Sequence, residues 1–132
     1  MAKIDEYDAI EKVIKQYIEG AAKGDIKLLA PIFDEKARLF GEGPPKGKRY
    51  DLDRDAYFKD QAAMPLDPPP RGKYRARLVS VQQIGPSAIA IVEEDGCWGP
   101  QNVSFVDIFS MSKIGDQWKI VNKTYTWTGG GD

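Results

Sequence analysis

The chain has 132 residues, 19 Lys and Arg against 20 Asp and Glu, a net charge of −1, one cysteine and no histidine. That length suits one globular domain, which buries roughly two-thirds of its unfolded surface, and the lone Cys97 offers no internal disulfide. Without histidine there is no Ser-His or Cys-His pair, no His-ligated zinc and no imidazole base, so proton chemistry falls to Asp, Glu, Tyr, Lys or Cys97.

Asp5 opens a helical pattern in which Ile10, Val13, Ile14, Tyr17, Ile18 and Ala21 share one apolar face. Asp5 is its expected cap, Glu6 and Asp8 suit its positive end, and Gly20 and Gly24 mark its exit. A second helix begins at Asp25 and carries Ile26, Leu28, Leu29, Ile32 and Phe33, kept short by Pro31. Residues 37–40 read as a short strand that ends in the loop Gly41-Glu42-Gly43-Pro44-Pro45. Arg49-Tyr50-Asp51 reads as a returning strand. Asp53 then caps a third helix with Ala56, Tyr57, Phe58, Gln61 and Ala62, which stops at Met64-Pro65. Pro68-Pro69-Pro70 is a stiff linker inside the domain.

From Lys73 the period becomes two. Strands over 74–84 and 88–92 join at Gly85-Pro86, and strands over 102–113 and 118–127 join through Ile114-Gly115-Asp116-Gln117. Gly129-Gly130-Gly131 reads as a frayed end. Helices followed by antiparallel strands predict an α+β fold, with helices on one face of a curved sheet. The basic groups Lys46, Lys48, Arg49 and Arg71, Lys73, Arg75, Arg77 flank turns and read as solvated surface, so no nucleic acid is expected. No apolar run approaches the ~20 residues of a membrane span, and the acidic N-terminus is unlike a signal peptide. A soluble, cytoplasmic protein is expected.

Two stretches carry a family resemblance. One runs from Val13 through Gln16-Tyr17-Ile18-Glu19-Gly20 to Gly24-Asp25, continuing into Leu28-Leu29-Ala30-Pro31-Ile32-Phe33 and Ala37-Arg38-Leu39-Phe40. The other is Phe105-Val106-Asp107-Ile108-Phe109-Ser110-Met111 followed by Gly115-Asp116-Gln117-Trp118-Lys119-Ile120-Val121-Asn122-Lys123-Thr124-Tyr125. The first resembles the opening of the nuclear transport factor two-like superfamily, which has a cystatin-like fold. The second resembles its branch labelled "putative lumazine-binding". Ketosteroid isomerase and the SnoaL-like polyketide cyclases are more distantly similar. The resemblance implies one domain over 1–132: three N-terminal helices packed in a strongly curved, mostly antiparallel sheet that forms a cone with a central pocket. It also implies homodimers paired through the outer sheet face. The pattern agrees on that point, because Val106 and Ile108 face opposite to Phe105, Asp107 and Phe109. Val121 and Tyr125 likewise face opposite to Ile120 and Asn122, and strands apolar on both faces need cover on both sides.

Asp107 is the most informative residue. It shares a strand face with Val103, Phe105, Phe109 and Met111, where a carboxyl is expensive to ionise. Held neutral, it would donate to a developing oxyanion, as a carboxylic acid does in ketosteroid isomerase. The alternative is an edge position where Asp107 meets solvent or a partner such as Lys123. Tyr17 lies on the buried face of the first helix, either as a core residue or as the partner of Asp107. Resemblance to ketosteroid isomerase puts Tyr17 and Asp107 at its two oxyanion-hole positions, but its catalytic aspartate falls here at Gly41. Glu42 is adjacent and reaches the pocket only if a bulge redirects it. Steroid isomerisation is therefore disfavoured.

Scytalone-dehydratase-like chemistry needs a histidine that the chain lacks. Where relatives in the lumazine-binding-like branch carry histidines, this chain has Asp34 and the residues around Thr126 and Trp127. Trp118, Ile120, Asn122, Thr124 and Thr126 share one strand face by period. Phe105, Phe109, Tyr57, Phe58 and Trp98 are either core or walls of a pocket for a small organic ligand, with Trp118 and Asn122 as further wall candidates. Cys97 has no neighbouring base, and Glu93-Glu94-Asp95 alternates faces and reads as solvated, so no metal and no cofactor are expected. The expected function is acid–base chemistry of isomerase, dehydratase or cyclase type on a small carbonyl or hydroxylated compound, carried by Asp107 and Tyr17. The alternative is a non-catalytic ligand-binding or dimeric scaffold domain.

Overall fold

The spacing of Ile10, Ile14, Tyr17 and Ala21 makes them the buried stripe of α1 (Lys3–Lys23), and all four are fully enclosed. The structure, a computed structural model, describes residues 3–131. The helix begins upstream of Asp5, so the expected cap lies inside its first turn. Gly24, at a φ of 64°, ends it in the left-handed conformation that glycine adopts without penalty. Asp25 caps α2 (Ile26–Leu29) by accepting the Lys27 N–H at 3.0 Å. Pro31 then turns the chain into a 3₁₀ turn over Ala30–Ile32, so Phe33 leaves the helix and starts a strand. Asp53 caps α3 (Arg54–Ala63), accepting the Ala56 N–H at 2.8 Å. This third helix follows two strands, as the order of signals in the sequence has it, and precedes the remaining four strands.

Six strands form one sheet: β1 (Phe33–Gly43), β2 (Lys48–Asp53), β3 (Arg75–Ile84), β4 (Ser87–Cys97), β5 (Val103–Ile114) and β6 (Gln117–Gly129). Their order is β2-β1-β6-β5-β4-β3; β1 and β6 run parallel, and every other pair is antiparallel. The fold is thus α+β, three helices with a curved six-stranded sheet. β1 and β4 run past their expected ends. β1 absorbs Gly41 and Gly43, and β4 continues through Glu93-Glu94-Asp95-Gly96-Cys97.

The α1 stripe packs with Leu29, Phe33, Leu39, Ala90, Val92, Phe109, Met111 and Ile120 into the main core. Each of its large side chains contributes roughly 1.5–3 kcal/mol on burial. A smaller cluster of Tyr74, Cys97, Val103 and Phe105 closes the other end. Glu6 ties α1 to the β5–β6 hairpin by accepting from Lys113 Nζ and Trp118 Nε1, both at 2.7 Å. The C-terminal glycines are held rather than frayed. Trp127 Nε1 donates to the carbonyls of Gly129 and Gly130, and the Gly131 N–H donates to Gln101 O. On the outer face, Ile89 (43% exposed) and Ile108 (39%) leave apolar surface uncovered beside Ile91. Among the described residues no helix is long and apolar enough to cross a membrane.

Candidate functional site

Alternation carries Ala88, Ala90, Val92 and Glu94 of β4 and Phe105, Asp107 and Phe109 of β5 onto the inner face. Asp107 lies between Val92 on one neighbouring strand and Tyr125 on the other, while Glu94 is opposite Phe105, one diagonal step from Asp107. On β6 the alternation breaks. Ser110 is opposite Asn122 but Met111 is opposite Ile120, which leaves Val121 as the extra residue of a bulge. One extra residue inverts every side chain beyond it. Trp118 and Ile120 therefore point inward before the bulge, and Lys123 and Tyr125 point inward after it. Asn122, expected on the inner face, turns out, where its Oδ1 accepts from Thr124 Oγ1 at 3.1 Å.

The bulge brings a lysine against two carboxyls. Lys123 Nζ donates to Tyr17 Oη at 2.7 Å and lies 3.7 Å from Asp107 Oδ2, and the Tyr17 hydroxyl donates to that same Oδ2 at 3.3 Å. The ammonium also sits 5.1, 5.0 and 5.5 Å from the ring centroids of Tyr17, Tyr57 and Tyr125. Asp107 Oδ1 and Tyr57 Oη are closed off from solvent with no hydrogen-bond partner. Glu94 accepts a hydrogen bond from the Tyr74 hydroxyl and lines the same cavity as Asp107, its diagonal neighbour across β4 and β5. Burial, reinforced by the Asp107 charge, pushes the Glu94 carboxyl well above the usual carboxylate range. Burial also raises the phenols of Tyr17 and Tyr57. For Lys123 burial is the largest influence and lowers the ammonium, but Asp107, Tyr57, Glu94 and Cys97 together outweigh it and the group is raised, so Lys123 is a fixed positive charge.

These groups form the floor of a cavity of about 780 Å³, within the range of small-molecule sites. Asp107, Tyr57, Phe105 and Trp98 line it; Tyr17 stands behind Asp107 and reaches the cavity only through Asp107 and Lys123. The other expected wall residues lie elsewhere. Phe58 and Phe109 are core, packed on Phe33 and Tyr17 respectively, Trp118 is held at Glu6, and Asn122 faces outward. Trp98, at a φ of 62°, is a bulky residue in the left-handed region, and its ring stacks edgewise on Tyr50 and against Phe105.

Sequence reasoning missed Glu94, Tyr74 and Tyr125, and named Lys123 only as the partner of Asp107 at an edge, whereas the pair is buried. For Glu94 a signal existed, because it continues the inward series Ala88, Ala90, Val92.

Gly41 also points inward, as the resemblance to ketosteroid isomerase requires, but the space beyond it is taken. A Cβ there would collide with the Tyr125 carbonyl and lie 2.6 and 2.7 Å from Tyr125 ring atoms. Glu42 does not substitute for the missing base; it is outside the cavity and accepts the Gly47 N–H at 3.2 Å. Cys97 lines the cavity, with its thiol pushed up by burial and by Glu94, away from thiolate character. Among the described residues no group of Cys, Asp and Glu is arranged to hold a metal.

The chain matches the family described as "Putative lumazine-binding" over residues 5–126. An NTF2-like protein of unknown function from Shewanella baltica OS155 is 25% identical, with a TM-score of 0.84 over 98% of this chain and 99% of that one. A second, from Silicibacter pomeroyi DSS-3, is 23% identical, with a TM-score of 0.83 over 97% and 100%. A structure from Parabacteroides distasonis described as "putative ketosteroid isomerase" shares the fold at 16% identity, with a TM-score of 0.61 over 91% and 88%. No curated protein matches the chain. With its curved sheet, its three helices and a family match that spans nearly its whole length, the chain belongs to the "Putative lumazine-binding" family of the nuclear transport factor two-like superfamily.

Proposed function

We propose that this chain, working as one domain, binds a small uncharged carbonyl or hydroxylated compound in its cone-shaped pocket and performs acid–base chemistry on it. Isomerase, dehydratase and cyclase reactions all fall within that class. One observation carries the reading: Asp107 Oδ1 is a buried carboxyl oxygen without a partner, at the floor of a cavity of about 780 Å³. Tyr17 and Lys123 position Asp107 from behind, while Phe105, Trp98, Tyr57 and Tyr125 offer flat walls to a ring.

The test uses cyclohex-2-enone, α-tetralone and lumazine as probes; lumazine is included because the family description names it. Binding is read from the Trp98 indole resonance, and chemistry from protein-dependent deuterium uptake α to the ketone in heavy water. At least one ketone should exchange faster with the protein than in buffer, and Asp107→Asn should lose about 10²–10³ of that rate. A ketone that shifts Trp98 but exchanges at the buffer rate refutes the enzyme reading. That outcome favours the alternative, a non-catalytic ligand-binding or scaffold domain. The exposed Ile89 and Ile108, with the half-buried Ile91 beside them, support a homodimer through the outer sheet face under either reading. A cytoplasmic site of action suits a protein with one unpaired, buried cysteine.

A further inference from the structure

The floor of the cavity holds more acid than the Asp107 reading uses. Glu94 and Asp107 are 3% and 1% exposed, and as diagonal neighbours on β4 and β5 they line one cavity. Among the described residues Lys123 is the one ammonium that lines it with them below Lys48 at the mouth. The Lys123 ammonium lies 3.7 Å from Asp107 Oδ2, and Oδ1 has no hydrogen-bond partner. Two ionised carboxylates there would leave one negative charge uncompensated in a desolvated site, and Oδ1 would have no donor. Each condition is costly by itself. A single proton on Glu94 removes both, because it cancels the excess charge and gives Oδ1 an O–H donor. The other Glu94 oxygen is already held by the Tyr74 hydroxyl. The remaining titratable groups around Glu94 come from every neighbouring element: Tyr17 of α1, Tyr57 of α3, Lys123 of β6 and Cys97 of β4 itself. None of them competes for that proton, since the phenols and the thiol are all raised and Lys123 stays charged.

We infer that Glu94 is the proton donor of this pocket, an undissociated acid that shares its proton with Asp107 and delivers it to the carbonyl oxygen of an uncharged ligand. The inference rests on the acid–base reading of the pocket and supplies the acid which that reading lacks. When the ligand carbonyl oxygen takes the Glu94 O–H bond, Asp107 Oδ1 is released to accept a proton from the carbon α to that carbonyl. The C–H bond breaks, its electron pair forms the C=C bond, and the C=O pair moves to oxygen, which takes the proton from Glu94. Glu94 ends as carboxylate and Asp107 as acid, so the pair again holds one proton and the net charge of the site is unchanged. Reversal at the same or a conjugated carbon gives tautomerisation. The substrate class is therefore an enolisable ketone or aldehyde without a charge near the reacting atoms.

The carboxyl state is read first on the ligand-free protein, by titrating ¹³C-labelled Glu and Asp side chains. One glutamate carboxyl should remain protonated at pH 7, and its resonance should vanish in Glu94→Gln while the other carboxyls keep theirs. Glu94→Gln should then lower ketone exchange about 10²–10⁴-fold, with the Trp98 binding shift retained. A fully ionised carboxyl set at pH 7, or a protonated signal that survives Glu94→Gln, overturns the inference even if the protein catalyses exchange. Exchange within twofold of wild type in Glu94→Gln overturns the donor role. A protonated Glu94 in a protein that exchanges none of the ketones would overturn the donor role together with the acid–base reading, and leave the shared proton as a structural device.

Discussion

Replacing Lys123 should damage this protein more than replacing Asp107, because two carboxyls can serve one ammonium but nothing replaces the ammonium. Lys123→Met keeps the aliphatic stem and removes the charge from a side chain 10% exposed, leaving Asp107 at 1% without its counter-ion. Breaking a buried pair from one side costs about 3–5 kcal/mol. A 132-residue domain loses roughly 3–4 °C per kcal/mol, so the melting temperature should fall by about 10–20 °C. Asp107→Asn leaves Glu94 free to ionise beside Lys123 and should cost only about 1–2 kcal/mol. The Lys123→Met loss should also grow with pH. Folded wild type carries one proton on the pair where the unfolded chain carries none; the variant relieves its uncompensated charge by binding a second. The folded variant then holds more protons above its unfolded state than wild type does, so its stability falls more steeply with pH. Urea denaturation at pH 5, 6.5 and 8 reads both effects. Equal losses for Lys123→Met and Asp107→Asn, or a Lys123→Met loss independent of pH, would refute the account of the cluster.

Glu94→Gln should flatten the pH dependence of wild-type stability. A carboxyl raised on folding gives stability that is fully present below its unfolded pKa, about 4.3, and lost as pH rises through the folded value, so wild type should weaken above that point while the variant does not. Parallel profiles from thermal melts would contradict this. Tyr74→Phe should cost about 1–3 kcal/mol in urea unfolding by stripping the donor from Glu94, and a loss below half a kcal/mol would remove Tyr74 from the network. Cys97 should react with an aromatic disulfide reagent at pH 8 only as fast as the protein opens, because its thiol is 2% exposed and raised; prompt labelling of the native protein would disprove that.

The helices were legible because their signals are local. Asp25 and Asp53 cap where a short acidic side chain before an apolar run should cap, and Pro31 stops the second helix one turn in. The floor of the site was half legible. Asp107 could be placed from the apolar residues on its own face, since β5 alternates without interruption between 105 and 110. Lys123 could not, because Val121-Asn122-Lys123-Thr124-Tyr125 mixes apolar and polar residues on either assignment of faces. Only the neighbouring strand reveals the extra residue. Glu94 was hidden by its company, since Glu93 and Asp95 are exposed and make the triplet look solvated. Among the aromatics, composition cannot separate a wall such as Phe105 from a plug such as Phe109; they differ by four residues on the same strand face.

The bulge also decides what stands against β1 at position 41. By turning Tyr125 inward it puts that ring and its carbonyl against β1 at position 41, and glycine is the residue that leaves them room. A crowded position 41 on β1 and an inward ammonium on β6 are therefore two consequences of one extra residue in β6. If so, a side chain cannot be restored at 41 merely by clearing the ring. Gly41→Ala should cost about 1–3 kcal/mol or more by overpacking. Adding Tyr125→Ala removes the ring atoms at 2.6 and 2.7 Å but leaves the Tyr125 carbonyl, the nearest atom, where it was. In a double-mutant cycle read by urea denaturation, Tyr125→Ala should recover less than half of the Gly41→Ala loss. Full recovery would mean that the ring alone closes the position and that the path of the β6 backbone does not.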